Sequence, residues 1–419
     1  MNRRAQAFTV GVTGLALTLA ACGGGTGASD TGSDGGDGKV DSIKLVAAEY
    51  SSETQGFWQD FAKTYEEKTG TELEVQVVSW DDIDQQSSTM IQNGNPPDIL
   101  NLNAYASYAK DGLLYSADEV LSPDVKSDLL PNFVTSGTYD GKLYGMPDLS
   151  SARALFYNKD LFEKAGIDAP PTTWDEFAAD AKKIKDTGDG AAGYAEPLGP
   201  EEAQAEFSIW MFNNGGNWKT DGKWSINSAP NVETLEFLKK LSTDGVTQNN
   251  PGKTNRTDGA FADFAAGKAG MVVGFSPLAA QLDEAKKVEY GVAPMPSNTG
   301  DEPKSYGVTD YLMAFKKDGN AEAVKAFYDL YYQTDQVNTF IENEGFLPVT
   351  RSGVEKFSSD ADLKVYLDTL TGVQLTPTDD PTWDTIKLAV QQEIGAAVGP
   401  DGDPKAILDD LQKQAESGS

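Results

Sequence analysis

Ser42-Ile43-Lys44-Leu45-Val46-Ala47-Ala48 opens the stretch that decides the fold. It reads as a buried strand. A helix follows over about 55–69, with Phe57, Trp58, Phe61, Ala62 and Tyr65 on one face of a 3.6-residue repeat. Leu73, Val75 and Val77 alternate with polar residues as a second strand. A second helix over 82–92 stops at Asn93-Gly94-Asn95-Pro96-Pro97, and 98–103 is a short third strand. This βαβαβ order predicts a mostly parallel sheet with right-handed crossovers, and so an α/β protein. In such sheets ligands sit beyond the carboxyl ends of the strands. That points to Glu49, Tyr50, Trp80, Asp81, Asn103 and Tyr105, unless they serve as loop or N-cap residues.

Downstream the pattern recurs. A strand is expected over 153–157, with Arg153 inside an otherwise apolar run. Thr173-Trp174-Asp175-Glu176 is a capping box that starts a helix over 175–185. A hairpin should turn at Asp221-Gly222 and set Trp218 facing Trp224. Residues 271–273 and 311–315 read as strands, 321–333 as a helix, and the segment after 362 as mostly helical. No short-period repeat is present.

The N-terminus reads as an address. Arg3 and Arg4 precede an uncharged, small-residue stretch over 7–21, too short for a comfortable span and suited to a signal-peptide core. It ends Leu19-Ala20-Ala21-Cys22, at the only cysteine. Residues 1–21 are therefore expected to be removed and Cys22 to be lipidated, as in a bacterial lipobox; the plainer alternative is a generic secretory cleavage site. Cleavage there removes two arginines and no acid, so the mature chain is more acidic still. Residues 23–38 are half glycine and bury nothing, so 22–39 is read as the lipidated cysteine and a tether spanning about 20–25 Å. Asp30 and Asp34-Gly35 suggest half of a calcium loop, but the closing glutamate is missing.

Composition narrows the chemistry. The chain has 419 residues, 34 Lys+Arg against 65 Asp+Glu, a formal charge of −31, one Cys and no His. No imidazole is available as general base or metal ligand, and no intrachain disulfide can form. The negative excess repels phosphate backbones, so nucleic acid is not an expected partner. No cofactor and no metal are expected. With 18 Phe, 7 Trp and 16 Tyr there is ample material for cores, and the length favours two domains.

Several segments together resemble one family. They are Phe61 through Tyr65-Glu66-Glu67-Lys68-Thr69-Gly70; Gly94-Asn95-Pro96-Pro97-Asp98; Gly141-Lys142-Leu143-Tyr144-Gly145-Met146-Pro147; Leu155-Phe156-Tyr157-Asn158-Lys159-Asp160-Leu161-Phe162; and Pro170-Pro171-Thr172-Thr173-Trp174. Further on come Gly267-Lys268-Ala269-Gly270-Met271, Gly291-Val292-Ala293-Pro294-Met295-Pro296 and Gly345-Phe346-Leu347-Pro348. In order and spacing they resemble the carbohydrate-binding lipoproteins of ABC importers, the maltose-binding-like extracellular solute-binding proteins, over nearly the whole mature chain.

The resemblance implies a two-lobe, periplasmic-binding-protein-like fold with doubly wound sheets, a hinge, and the ligand between the lobes. It implies crossings near 148–152, 304–309 and 345–349. The lobes are then discontinuous: 40–148 with 306–345, and 152–303 with 349–419. It implies a monomeric substrate-binding lipoprotein, anchored outside the cytoplasm, that delivers sugar to permease subunits and is not an enzyme. By position in the family pattern the ligand-binding candidates are Glu49, Asn103, Tyr105, Asp148, Ser151, Arg153, Glu206, Phe207, Phe275, Ser276, Asp310 and Trp383, the last as an aromatic platform. A structural ion pair of Arg153 with Asp148 or Asp310 is the alternative for that residue. Leu102 and Pro277 stand where the maltodextrin binder has stacking tryptophans, and Ser151 where it has a carboxylate. Fewer platforms suggest a mono- or disaccharide. The rival readings are a receptor for a non-sugar solute and a secreted glycosidase, which needs only two carboxylates.

Overall fold

The computed structural model describes residues 40–80, 82–360, 363–368, 370 and 373–418. The signal segment, Cys22, the tether and Asp81 lie outside the described residues. Among the described residues no helix is long and apolar enough to cross a membrane.

Two sheets organise the chain. The first has five strands in the order Glu72–Val78, Ser42–Ala48, Ile99–Leu102, Gly307–Ala314, Met146–Ala152. The strand Ser42–Ala48 alternates its faces: Ile43, Leu45 and Ala47 enter one core, Val46 and Ala48 the other. Both faces of the sheet are therefore covered, as a strand apolar at consecutive positions requires. The helix Thr54–Thr69 buries Trp58, Phe61 and Tyr65 on the first of these cores. Trp58 stacks there on Tyr331 and Phe327.

The second sheet has four strands in the order Tyr290–Ala293, Ala154–Asn158, Ala269–Gly274, Ala192–Ala195. It too is covered on both faces. Leu155, Tyr194, Met271 and Val273 enter one core, Ala154, Phe156, Ala195 and Val272 the other. The capping box forms as expected, and the helix it starts, Trp174–Asp186, lies against the strand Ala192–Ala195.

The first sheet is mostly parallel, as expected, while two other sequence expectations need correction. Its first three strands pair in parallel and Met146–Ala152 runs the same way; Gly307–Ala314 is reversed, antiparallel to both of its neighbours. That strand enters after the chain has passed through the second sheet, so its direction is not set by a βαβ crossover. Arg153 is not inside a strand. It is the single residue between Met146–Ala152 and Ala154–Asn158, which belong to different sheets, and its N–H donates to the Tyr306 carbonyl at 2.9 Å. In the hairpin Trp224 stands opposite Lys219, not Trp218.

Segments from distant parts of the chain meet at that joint. Ser150 and Leu347 exchange N–H···O bonds of 2.9 and 2.8 Å, and Ser150 and Ala152 pair with Thr309 and Gly307. A Cβ on Gly307 would stand 2.5 Å from Val373 Cγ2 and 2.8 Å from the Ser151 carbonyl oxygen, so only glycine fits.

Candidate functional site

At the carboxyl end of the first sheet, Tyr50 is the hub. Its hydroxyl lies 3.1 Å from Asn101 Oδ1 and 2.7 Å from Asp310 Oδ2. Asn101 Oδ1 also accepts from the Ala48 N–H, and Asn101 Nδ2 donates to Asp148 Oδ2 at 2.9 Å. Tyr331 donates to the other oxygen of Asp148. One phenolic proton cannot serve both Asn101 and Asp310. Burial pushes the Asp310 carboxyl up to about 6, so on protonation it donates to Tyr50 and frees the tyrosine proton for Asn101. Burial likewise pushes Asp148 up to about 8, against the pull of Tyr331. Asp310 Oδ1 is buried and has no hydrogen-bond partner.

At the second sheet the charges gather around Glu202. It takes Arg153 Nη2 at 2.6 Å and a second, shorter contact from Arg256 Nη1; Arg256 Nη2 reaches Glu201 at 3.1 Å. Burial alone would raise the Glu202 carboxyl, but the two guanidinium groups hold it below its ordinary value. Both guanidinium groups lie over the Phe275 ring, Arg153 at 4.2 Å and Arg256 at 5.3 Å. Beside them Glu206 accepts from Tyr194 and from Trp210 Nε1, the latter at 2.8 Å. Burial still pushes Glu206 up to about 7.

Glu196, at the end of the strand Ala192–Ala195, is fully buried, and neither of its carboxylate oxygens has a partner. Burial, with Glu206 nearby, drives its carboxyl well above the ordinary value. Its backbone is fixed by two hydrogen bonds to the Gln248 amide. Arg153, Pro197, Glu202, Ala205, Glu206, Arg256 and Val273 line a small cavity beside it.

The two groups are linked through Phe346, in the segment that pairs with Ser150. Its ring lies 5.3 Å from Tyr50 and 6.5 Å from Phe275. Ser276 Oγ donates to the Gly345 carbonyl in the same segment at 2.6 Å.

The sequence candidates therefore divide. Asp148 and Asp310 come together at the first sheet, and Arg153, Glu206, Phe275 and Ser276 at the second. Glu49 is exposed at a strand end, Asn103 is half-buried, and Ser151 is buried in the ladder opposite Val308. Tyr105 is a core residue that donates to the Ser136 carbonyl and packs on Tyr311. Phe207 is buried against Trp218. Trp383 is 2% exposed and covered by Trp218 and Trp224, at 5.2 and 6.4 Å, so it offers no open ring face. The expected partner of Arg153, Asp148 or Asp310, is replaced by Glu202. Glu196, Glu202, Asn101 and Arg256 escaped sequence reasoning. Only Glu196 left a signal, a carboxylate directly after the apolar strand Ala192–Ala195. Among the described residues no group of three or more His, Cys, Asp or Glu is placed to hold a metal ion.

Comparison with known proteins gives this geometry its frame. Residues 50–338 match the model of the bacterial extracellular solute-binding proteins. A binding protein of Brucella abortus (strain 2308) is 31% identical over 386 residues, covering 90% of this chain and 92% of its own. The diacetylchitobiose binding protein DasA of Streptomyces coelicolor is 28% identical over 312 residues, covering 72% of this chain and 71% of its own. In structure, an ABC-transporter solute-binding protein of Thermotoga lettingae bound with α-D-tagatose superposes with a TM-score of 0.76 at 23% identity. The match covers 90% of this chain and 100% of that one. These relatives are named as binding proteins, and the shared fold is the two-lobe α/β fold of solute-binding proteins. With its two sheets, its joint at Arg153 and a family match over most of its length, this chain belongs to the bacterial extracellular solute-binding protein family.

Proposed function

We propose that this protein captures a mono- or disaccharide between its two sheets and delivers it to the permease of an ABC importer. The observation that carries this reading is Glu196: a buried carboxyl group with both oxygens unpartnered, beside Glu206. Such a group calls for hydrogen-bond donors from a ligand. Sugars supply hydroxyl donors for carboxylates and apolar C–H faces for aromatic rings such as Phe275 and Phe346. The relatives that bind diacetylchitobiose and tagatose support the same class.

An anionic solute fits less well. Arg153 and Arg256, the cations at this site, are already held by Glu202 and Glu201, and the surrounding carboxyls repel a phosphate. An α-amino acid would have to share these guanidinium groups, whose Nε atoms lack partners, with Glu202 and Glu201. We assign no hydrolysis to the site. The relatives named above are binding proteins.

The rest of the reading follows from the family. Residues 40–148 with 306–345 form one lobe, and 152–303 with 349–419 the other. The adjoining segments near 148–152, 304–309 and 345–349 act as the hinge. Sugar touching both lobes favours the closed form and shifts the population toward it. Residues 1–21 are the signal peptide, and lipidated Cys22 with its tether holds a monomer at the outer face of the cell membrane.

A thermal-shift screen of the protein against monosaccharides, disaccharides, amino acids and glycerol phosphate tests the ligand class. A saccharide should raise Tm, because a ligand that binds only the folded state stabilises it in proportion to the logarithm of its concentration. A rise with an amino acid or glycerol phosphate and none with any saccharide would refute the proposal.

A further inference from the structure

Trp80 stands apart from the other tryptophans. It follows the edge strand Glu72–Val78 and is 36% exposed, whereas Trp58, Trp174, Trp210, Trp218 and Trp383 are buried and Trp224 is half-buried. It is not adrift on the surface. Its ring lies 5.6 Å from Tyr50 in an edge-on arrangement. Tyr50 is fixed in turn by Asn101 and Asp310 and also meets Phe346, at 5.3 Å. Trp80, Tyr50, Phe346 and Phe275 therefore form one row of rings. The row starts at the outer strand of the first sheet, passes the segment that joins the sheets and ends under Arg153 at the second.

Two of the buried polar groups that lack partners, Asp310 Oδ1 beside Tyr50 and Glu196 near Glu206, are where hydroxyls of a first sugar ring would be recognised. Trp80 is at the outer end of the row. It is exposed, whereas Tyr50, Phe346 and Phe275 are half-buried. An exposed aromatic plane binds the apolar face of a sugar without demanding a particular hydroxyl pattern. On the strength of the saccharide reading above, we propose that Trp80 is the platform for the second ring of a disaccharide and sets the length of ligand the site accepts. In this role it takes the place expected of Trp383, which the core has consumed.

Calorimetric titration of the full chain tests this with matched probes: glucose, maltose and cellobiose, and N-acetylglucosamine with diacetylchitobiose. Trp80→Ala should weaken the bound disaccharide about tenfold, the size expected for one lost aromatic contact. It should leave the corresponding monosaccharide within about twofold and the ligand-free melting temperature unchanged. Trp80→Phe should recover most of the disaccharide affinity, which a purely structural role for the indole would not predict. Wild-type affinity of Trp80→Ala for the disaccharide, or a wild-type protein that binds monosaccharides alone, overturns the assignment and leaves the saccharide reading intact. No binding of any probe by the wild type, with a response to amino acids instead, overturns both.

Discussion

Glu196 costs the ligand-free protein stability. Its carboxyl is buried, unpartnered and shifted upward, so at neutral pH the fold carries either a buried charge or a captured proton. Asp148, Glu206 and Asp310, pushed up to about 8, 7 and 6, add to this. A carboxyl whose value is raised on folding binds more protons in the folded than in the unfolded state. Its contribution is complete below the ordinary value near about 4 and is lost as pH climbs through the raised one. The ligand-free protein should therefore melt several degrees higher at mildly acidic than at mildly alkaline pH. Glu196→Gln should raise the ligand-free melting temperature, more at alkaline than at acidic pH, while weakening sugar binding. Scanning fluorimetry across pH checks both; a lower melting temperature for Glu196→Gln at alkaline pH would contradict the assignment. Little of this was legible in the sequence. Asp148, Glu206 and Asp310 were singled out by position in a family pattern. Glu202 and Arg256 could not be, because Glu202 meets Arg153 and Arg256 across 49 and 54 residues of chain.

At the scale of elements, the sequence was more informative where interactions are local. The βαβαβ start, the Thr173/Glu176 capping box and the turn at Asp221-Gly222 all depend on neighbours within a few residues, and each forms. The mixed direction of the first sheet was not legible, since the strand Gly307–Ala314 joins a partner some 200 residues earlier. Trp383 failed for the same reason: the hairpin that covers it lies far upstream. One local contact should matter to the site. Gly193 lies in the strand Ala192–Ala195 that carries Glu196 at its end, and a Cβ there would stand 2.1 Å from the Ala181 carbonyl oxygen. Gly193→Ala must push the helix Trp174–Asp186 away from that strand, at a cost of about 1–3 kcal/mol. We expect a lower melting temperature and weaker sugar binding. A variant that melts like the wild type would show that the helix yields freely and that strand position is not set by this contact.

For the whole molecule, two covered sheets joined at Arg153 explain why the chemistry is divided. The first sheet supplies Tyr50, Asn101, Asp148 and Asp310; the second supplies Arg153, Glu196, Glu206 and Phe275. On the function proposed above, the ligand is held by both sets. The resemblance to the family implied crossing segments, which strand and helix periodicity could not. The acidic excess, which first argued only against nucleic acid, also suits a site that selects neutral donors over anions. The most direct test is calorimetric titration of one saccharide, chosen by the thermal-shift screen, into the wild type, Asp310→Asn and Glu196→Gln. Each substitution keeps its residue's shape, and the two sit on different sheets. If one sugar is shared between the sheets, both variants should bind it about tenfold or more weakly, the loss expected for a hydrogen bond to a charged group. Wild-type affinity in either variant would contradict a ligand held by both sheets.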